Sequence, residues 1–135
     1  MKVCVFGAGN MGARITEVFL TNGHDVTMLD VKQEFIDRGV KTITNDLAFL
    51  VKKEKMTEEH KNELLASLKT SLDRKAAADA DFVMEVILER MDLKKDLLQE
   101  LDEICPPHTI FASNTSALSP TELAASVKRS DKVIG

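Results

Sequence analysis

The sequence predicts an α/β protein with a doubly wound, mainly parallel β-sheet and a helical hairpin inserted after the second strand. Short apolar runs alternate with longer stretches in which apolar residues recur at every third or fourth position. The apolar residues of the short runs are mostly contiguous, which is typical of strands buried on both faces of a parallel sheet. The stretch 31–67 is much longer than the roughly dozen residues that an ordinary crossover needs.

The short runs are the predicted strands. "VCVF", "VTML", "FVMEVI" and "TIFAS" are almost wholly apolar, whereas "LKTS" has the weakest pattern and "KVIG" closes the chain. In chain order the six predicted strands are 3–6, 26–29, 68–71, 82–87, 109–113 and 132–135.

Helices are predicted between these strands. The first covers 11–21, presents Ile15, Val18 and Phe19 to one side, and ends at Gly23 as a C-terminal cap. Another covers 89–104 and ends at "CPPH", because proline cannot continue a helix. Its apolar stripe consists of Leu93, Leu97, Leu101 and Ile104. A short helix over 119–125 has Pro120 at its first position.

Two helical patterns occupy the long stretch after the second strand. "KKEKMTEEH" separates them, and Thr57 has the character of a residue that begins a new helix. The apolar positions are Ile43, Leu47, Leu50 and Val51 in the first pattern, and Leu64, Leu65 and Leu68 in the second. The pair is predicted to form the inserted helical hairpin.

Length and composition restrict the class of protein. A chain of 135 residues fits one domain, and 44% apolar residues are enough for a core. The net charge of −4 and the lack of a basic arm argue against nucleic acid as a partner. Cys4 and Cys105 lie far apart and are expected to be buried thiols rather than a disulfide or metal ligands. Neither a signal peptide nor a membrane-spanning stretch is recognisable, so a cytoplasmic protein is expected.

The segment "VFGAGNMG" contains the spacing G-x-G-x-x-G, which is weak evidence by itself. Its context strengthens it, because the glycines follow a strand, precede a helix, and a second strand then ends in an acid, Asp30. Gly7 would permit the tight turn, Gly9 would let a pyrophosphate approach the backbone, and Gly12 would let the helix pack closely. The helix N-terminus would attract the phosphates. These features predict a Rossmann-type dinucleotide-binding fold.

Asp30 is predicted to accept hydrogen bonds from the adenosine ribose and to repel a 2′-phosphate, which favours NAD over NADP. The alternative is that Asp30 only caps the next helix. Lys32 is the residue that would support NADP, and it is interpreted as a solvated charge at the helix start.

Longer segments add to the evidence of the glycine turn, and the run "FASNTSAL" is far more specific than the glycines. The other informative segments are "GAGNMG", the "VKK" that ends the first insert helix, "EVILERMDLKKDL", "LDEICPPHTIFASNTSALSPTELA" and "KVIG". Together these segments resemble the NAD-binding domain of 3-hydroxyacyl-CoA dehydrogenases, and most closely that of bacterial 3-hydroxybutyryl-CoA dehydrogenases. The resemblance covers the whole chain.

The resemblance implies roles for individual residues. Ser116 would bind the substrate oxygen, Asn114 would lie along the cofactor, and Glu89 and Lys94 would contact the nicotinamide-side ribose. Without the resemblance, Glu89 and Lys94 would be interpreted as a surface charge pair, and the segment of Asn114 and Ser116 as a turn-forming loop. The implied cofactor-binding set is Gly7, Gly9, Asn10, Met11, Gly12, Asp30, Glu89, Lys94, Asn114 and Ser116.

The resemblance also implies a substrate and a larger protein. Lys53, beside Lys52 and Lys55, would reach the phosphates of coenzyme A, or would be a solvated helix end. Asp46 stands where relatives can have a serine that contacts coenzyme A, and Arg14 stands where they usually have glycine. Residues 1–135 would be a truncated NAD-binding domain. A catalytic histidine, its glutamate partner and a helical domain for substrate and homodimer formation would lie beyond the chain, and no metal is expected.

Three functions are compatible with these residues. The first is an NAD-dependent dehydrogenase of short-chain 3-hydroxyacyl-CoA. The second, a β-hydroxyacid dehydrogenase, shares the Met-Gly glycine turn, but Asp30 and the insert 31–67 argue against it. The third is an NAD-binding module without catalysis, against which Glu89, Lys94, Asn114 and Ser116 argue.

Overall fold

A computed structural model describes residues 1–114 and 120–134. Six strands form one sheet in the order β3-β2-β1-β4-β5-β6, and all neighbouring strands are parallel. The strands are β1 (Lys2–Phe6), β2 (Asp25–Leu29), β3 (Lys69–Ser71), β4 (Phe82–Glu85), β5 (Ile110–Ser113) and β6 (Val133–Ile134). The predicted doubly wound parallel sheet is therefore confirmed, including its weakest strand.

Helices cover both faces of the sheet. They are α1 (Asn10–Thr21), α2 (Gln33–Lys52), α3 (Glu58–Ser67), α4 (Met91–Ile104) and α5 (Pro120–Ala125), with 3₁₀ turns at Arg74–Ala77 and Ser130–Lys132. Val3 and Val5 of β1 belong to the core under α1, α2 and α3, whereas Cys4 and Phe6 belong to the core under α4 and α5. Alternate residues of one apolar strand thus serve two cores, which explains why the run is contiguous rather than alternating.

The predicted hairpin is confirmed. Thr57 is the N-cap of α3, and its hydroxyl accepts a hydrogen bond from the backbone N–H of His60 at 3.1 Å. The α2 helix buries a stripe of Ile36, Gly39, Ile43 and Leu47. A Cβ on Gly39 would lie 2.7 Å from the carbonyl oxygen of Ala8, so α2 packs directly on the turn after β1.

The buried face of α1 differs from the prediction. Val18 is 60% exposed, and Ile15 and Phe19 are only half-buried. The helix instead buries Gly12, Ala13, Thr16 and Leu20. Small residues form the contact in the first half of α1 because the helix there lies too close to the glycine turn for large side chains. The predicted C-terminal cap is confirmed, since Gly23 has a φ of +84° and its N–H donates to the carbonyl of Leu20.

Both cysteines are buried and unpaired, as expected. Burial raises the pKa of Cys4 to about 12 and that of Cys105 to about 11. Both thiols therefore stay protonated at neutral pH and act as small apolar core residues.

Candidate dinucleotide-binding site

A cleft of about 630 Å³ lies at the carboxyl edge of the sheet, where the strand order reverses between β1 and β4. Ligands of doubly wound sheets bind at such a reversal. The glycine turn after β1, the end of β2 and the segment after β4 all border the cleft, through Gly7, Gly9, Asp30, Ile87 and Leu88. The topology therefore brings the predicted glycine turn and the predicted acid to one cavity.

The surroundings of the three glycines in the turn show why each position has a glycine. Gly7 has a φ of +119°, and a Cβ there would lie 2.5 Å from the carbonyl oxygen of Val86. A Cβ on Gly12 would lie 1.8 Å from the carbonyl oxygen of Gly7. Around Gly9, by contrast, no described atom apart from Gly9 and its two chain neighbours lies within 4 Å of the position of a Cβ. Gly7 and Gly12 are thus required by packing, whereas Gly9 leaves open space that a bound group can occupy.

The N-terminus of α1 faces the same turn. Gly9 is the N-cap residue and has no side chain with which to cap the helix, and the first turn contains no acidic residue. Asn10 and Met11 begin the helix and are exposed. Uncapped N–H groups and the positive end of the helix dipole make this position suitable for a phosphate. The open space at Gly9 and the uncapped helix together fit the pyrophosphate of a dinucleotide.

The side chain of Asp30, which follows β2, is hydrogen-bonded to the backbone of the glycine turn. Its Oδ2 accepts the N–H of Ala8 at 2.8 Å, and its Oδ1 accepts the N–H of Val31 at 2.7 Å. The alternative that Asp30 caps the next helix is wrong, because the N-cap of α2 is Lys32. Each carboxylate oxygen keeps a further lone pair at the cleft, so the side chain can still accept from a ribose hydroxyl.

Glu89, Lys94 and Asn114 come together at the carboxyl ends of β4 and β5. Lys94 is completely buried, and its Nζ lies 3.8 Å from Oε1 of Glu89 and 3.3 Å from the carbonyl oxygen of Asn114. The interpretation of Glu89 and Lys94 as a surface pair is therefore wrong for Lys94.

Sequence reasoning missed the nearest partner of Lys94. Glu85, the last residue of β4, is also completely buried and accepts from Lys94 Nζ at 2.9 Å through both carboxylate oxygens. The signal in the sequence was an acid within the apolar run "FVMEVI". A buried charge of this kind needs a partner, and only the fold shows which one it has.

Two predicted substrate residues lie elsewhere or outside the described part of the chain. Ser116 lies outside the described residues. Lys53 is the C-cap residue of α2, is exposed, and its Nζ lies 5.4 Å from the centre of the Phe49 ring.

Among described residues, no group of three His, Cys, Asp or Glu side chains could hold a metal ion. In 1–114 and 120–134, no helix has the length and apolar character that crossing a bilayer requires.

Arg14 and Asp46, where the resemblance implies other residues in relatives, face each other between α1 and α2. Arg14 Nε lies 3.6 Å from Oδ2 of Asp46. Near both of them, Glu17 has a buried Oε1 without a hydrogen-bond partner among the described residues. Burial, followed by the neighbouring Asp46, raises the pKa of Glu17 to about 8, although Arg14 opposes the shift. Glu17 is therefore a neutral acid over most of the physiological range and can donate to Asp46.

We expect Glu17→Gln to remove a pH dependence of stability. The folded state holds a proton on Glu17 up to about pH 8, whereas the unfolded chain releases it near 4.5. The folded state thus binds more protons between these values, so stability falls as pH rises through this window. At pH 8.5 the E17Q variant should melt about 3–6 °C higher than the wild type, and at pH 4.5 the two should melt together. Thermal melts across pH 4.5–8.5 measure this, with exposed Glu34→Gln as the control. Parallel profiles of wild type and E17Q would contradict the raised pKa.

Comparison with known proteins agrees with the geometry. The family model for "3-hydroxyacyl-CoA dehydrogenase, NAD binding domain" matches residues 2–135. The 3-hydroxybutyryl-CoA dehydrogenase of Clostridioides difficile is 41% identical over 135 residues, which are 100% of this chain and 48% of that protein. The probable 3-hydroxybutyryl-CoA dehydrogenase of Bacillus subtilis is 40% identical over 134 residues, 99% of this chain and 47% of that one.

The solved structures give the same result. The 3-hydroxybutyryl-CoA dehydrogenase of Escherichia coli K12 superposes with a TM-score of 0.95 at 38% identity, over 98% of this chain and 28% of that one. The (S)-3-hydroxybutyryl-CoA dehydrogenase of Ralstonia eutropha superposes with a TM-score of 0.92, also at 38% identity, over 98% of this chain and 47% of that one. The chain thus spans about half the length of the curated bacterial 3-hydroxybutyryl-CoA dehydrogenases that it matches.

Proposed function

Because this chain belongs to the family of NAD-binding domains of 3-hydroxyacyl-CoA dehydrogenases, we propose that it is the cofactor-binding part of an oxidoreductase that interconverts 3-hydroxyacyl-CoA and 3-oxoacyl-CoA. NAD is the cofactor of this family. The observation that carries the proposal is the open space at Gly9 above an uncapped helix N-terminus, at the reversal of the strand order. The names of the bacterial relatives favour a short substrate such as 3-hydroxybutyryl-CoA.

In this function a bound NAD would supply the hydride acceptor for C3 of the 3-hydroxyacyl thioester. The first turn of α1, with Asn10, Met11 and Gly12, would hold the pyrophosphate against Gly7 and Gly9. Asp30 would accept from the adenosine ribose at the β2 side of the cleft. The remaining proposed roles are Glu89 and Lys94 at the nicotinamide-side ribose, Asn114 along the cofactor, Ser116 at the substrate oxygen and Lys53 at the coenzyme A phosphates.

Acid–base catalysis would come from outside the described cleft. None of the described residues that line it is a histidine. His24 and His108 precede β2 and β5, at the amino edge of the sheet, and His60 lies in α3. The proposal therefore places the histidine, its glutamate partner and the surface for homodimer formation in a further, helical domain of the whole enzyme.

A chimeric enzyme tests this function directly. Residues 1–135 would replace the matching 135 residues of the C. difficile relative, to which they are 41% identical. We expect the chimera to oxidise NADH when acetoacetyl-CoA is added, because this chain supplies the cofactor site and the relative supplies the remainder. A folded chimera that binds NADH but does not react would favour an NAD-binding module without catalysis.

Asp30 should determine the choice of cofactor. A carboxylate that faces a 2′-phosphate is a like-charge contact without compensation, so NADH should bind about tenfold or more tightly than NADPH. Asp30→Asn keeps the shape of the side chain and removes its negative charge, so it should reduce the difference in affinity between NADH and NADPH. Lys32→Met, whose wild-type side chain lies over the Phe35 ring, is the matched control and should leave the preference unchanged. Calorimetric titration of both cofactors measures the ratio, and equal affinities for the wild type would refute the role of Asp30.

A further inference from the structure

The most deeply buried charges of the described chain are at the nicotinamide side of the proposed site. The side chains of Glu85 and Lys94 are both 0% exposed, and their charged groups are 2.9 Å apart. Two buried charges lose their hydration, and even a well-formed buried ion pair is weak evidence for stability, since apolar residues often replace it without loss. A contribution to stability therefore does not by itself explain why this buried ion pair is present.

The hydrogen bonds of Glu85 and Lys94 connect several segments of the chain. Glu85 Oε2 accepts the backbone N–H of Ile87 at 2.8 Å, and Oε1 accepts from the Ser113 hydroxyl. Lys94 Nζ donates to both oxygens of Glu85 and to the carbonyl oxygen of Asn114. One ion pair thus joins the end of β4, the segment after β4, the first turn of α4 and the end of β5.

The joined segments border the proposed cofactor cleft. Ile87 and Leu88 line it, and Leu88 is 70% exposed. Glu89 is 40% exposed and lies on the outer side of Lys94, at 3.8 Å from its Nζ. The ammonium group of Lys94 has three acceptor atoms within 3.3 Å, the two carboxylate oxygens of Glu85 and the carbonyl oxygen of Asn114, and these contacts fix its position.

We propose that Glu85 is a buried positioning residue, which holds Lys94, the segment 86–90 and Asn114 in the arrangement that receives the nicotinamide half of the cofactor. In this arrangement Glu85 acts through Lys94 and the backbone of Ile87, and Lys94 keeps the place at the nicotinamide-side ribose that the proposed function gives it. The inference rests on the proposed function, because it assumes that a dinucleotide crosses the sheet at the β1–β4 reversal. Pre-ordering the segment would lower the cost of fixing it on binding.

The test compares NADH with AMP, which lacks the nicotinamide half. The main variant is Glu85→Gln, because it keeps the shape of the side chain, removes the charge that holds Lys94, and leaves every proposed cofactor residue in place. We expect NADH to bind about tenfold more weakly to this variant, whereas the dissociation constant of AMP stays within about twofold of the wild type. Lys95→Met is the matched control, since Lys95 pairs with Glu122 on the surface of the same helix, and it should change neither constant.

The outcomes separate the two proposals. Unchanged NADH affinity, or an equal loss for NADH and AMP, would overturn the positioning role, because a general structural defect weakens both ligands. If Glu85→Gln does not fold, Ser113→Ala, which removes the hydroxyl that donates to Glu85 Oε1, is measured in the same way. A wild-type chain that binds neither ligand would instead contradict the proposed function itself.

Discussion

Gly9→Val is expected to abolish NAD binding while the fold survives. The backbone of Gly9 has a φ of −70° and a ψ of −174°, which any residue can adopt. Apart from Gly9 and its two chain neighbours, no described atom lies within 4 Å of a Cβ at this position. The valine side chain would occupy the space assigned to the pyrophosphate and would shield the N-terminus of α1. We expect a loss of at least about 100-fold in NADH affinity, with a melting temperature within about 3 °C of the wild type.

The neighbouring glycine supplies a contrast within the same motif. Gly12→Ala places a Cβ 1.8 Å from the carbonyl oxygen of Gly7, so it should destabilise the fold itself. Calorimetry with NADH and thermal melts of both variants measure the difference. If Gly9→Val binds NADH with an unchanged dissociation constant, the pyrophosphate does not lie on this turn.

The second large effect concerns activity. We expect residues 1–135 to bind NADH but to reduce acetoacetyl-CoA no faster than background. Reduction of the 3-oxo group needs a proton at the substrate oxygen, and a positioned acid–base group contributes roughly 10²–10⁴-fold. Among the described residues, the histidines are engaged away from the cleft: His108 lies 2.8 Å from Asp81, and His24 lies 3.3 Å from the N-terminal amine. Orientation of the acyl group by a further domain would add another large factor.

Absorbance at 340 nm, the nicotinamide band of NADH, measures this with the chain alone and with the C. difficile relative as the positive control. A clearly active chain would show that one of its own histidines, or another group, performs the proton transfer. Lack of activity together with lack of NADH binding would contradict the cofactor assignment instead, so binding is measured on the same sample.

The fold could be predicted from the sequence because its determinants are local. A contiguous apolar run such as "VCVF" indicates a strand that is buried on both faces. Thr57 indicates the start of a helix and Gly23 the end of one, and each of these signals lies within a few residues of the chain. The glycine turn and Asp30 could be assigned for a similar reason, because their spacing along the chain reflects one βαβ unit.

The features that the sequence could not predict depend on contacts between distant segments. Val18 fits the apolar period of α1 but is exposed, because the close approach of the helix selects Gly12, Ala13 and Thr16 for the contact. Glu85 and Lys94 are separated by a loop, and only the packing of α4 against the sheet buries both. The residue type shows that Lys94 has a charged side chain, but a single sequence does not show that this side chain is fully buried.

The strand order has a consequence for synthesis of the chain. β1 is made first, yet it lies at the centre of the sheet, and Val3 pairs with Val26 on one side and with Phe82 on the other. Until the segment around Phe82 leaves the ribosome, one edge of the most apolar strand has no native neighbour. Unpaired strand edges favour association between chains. The α1–β2 unit can pair with one side of β1 early, whereas the other edge stays unpaired until β4 has been made, and in this interval it can associate with another nascent chain.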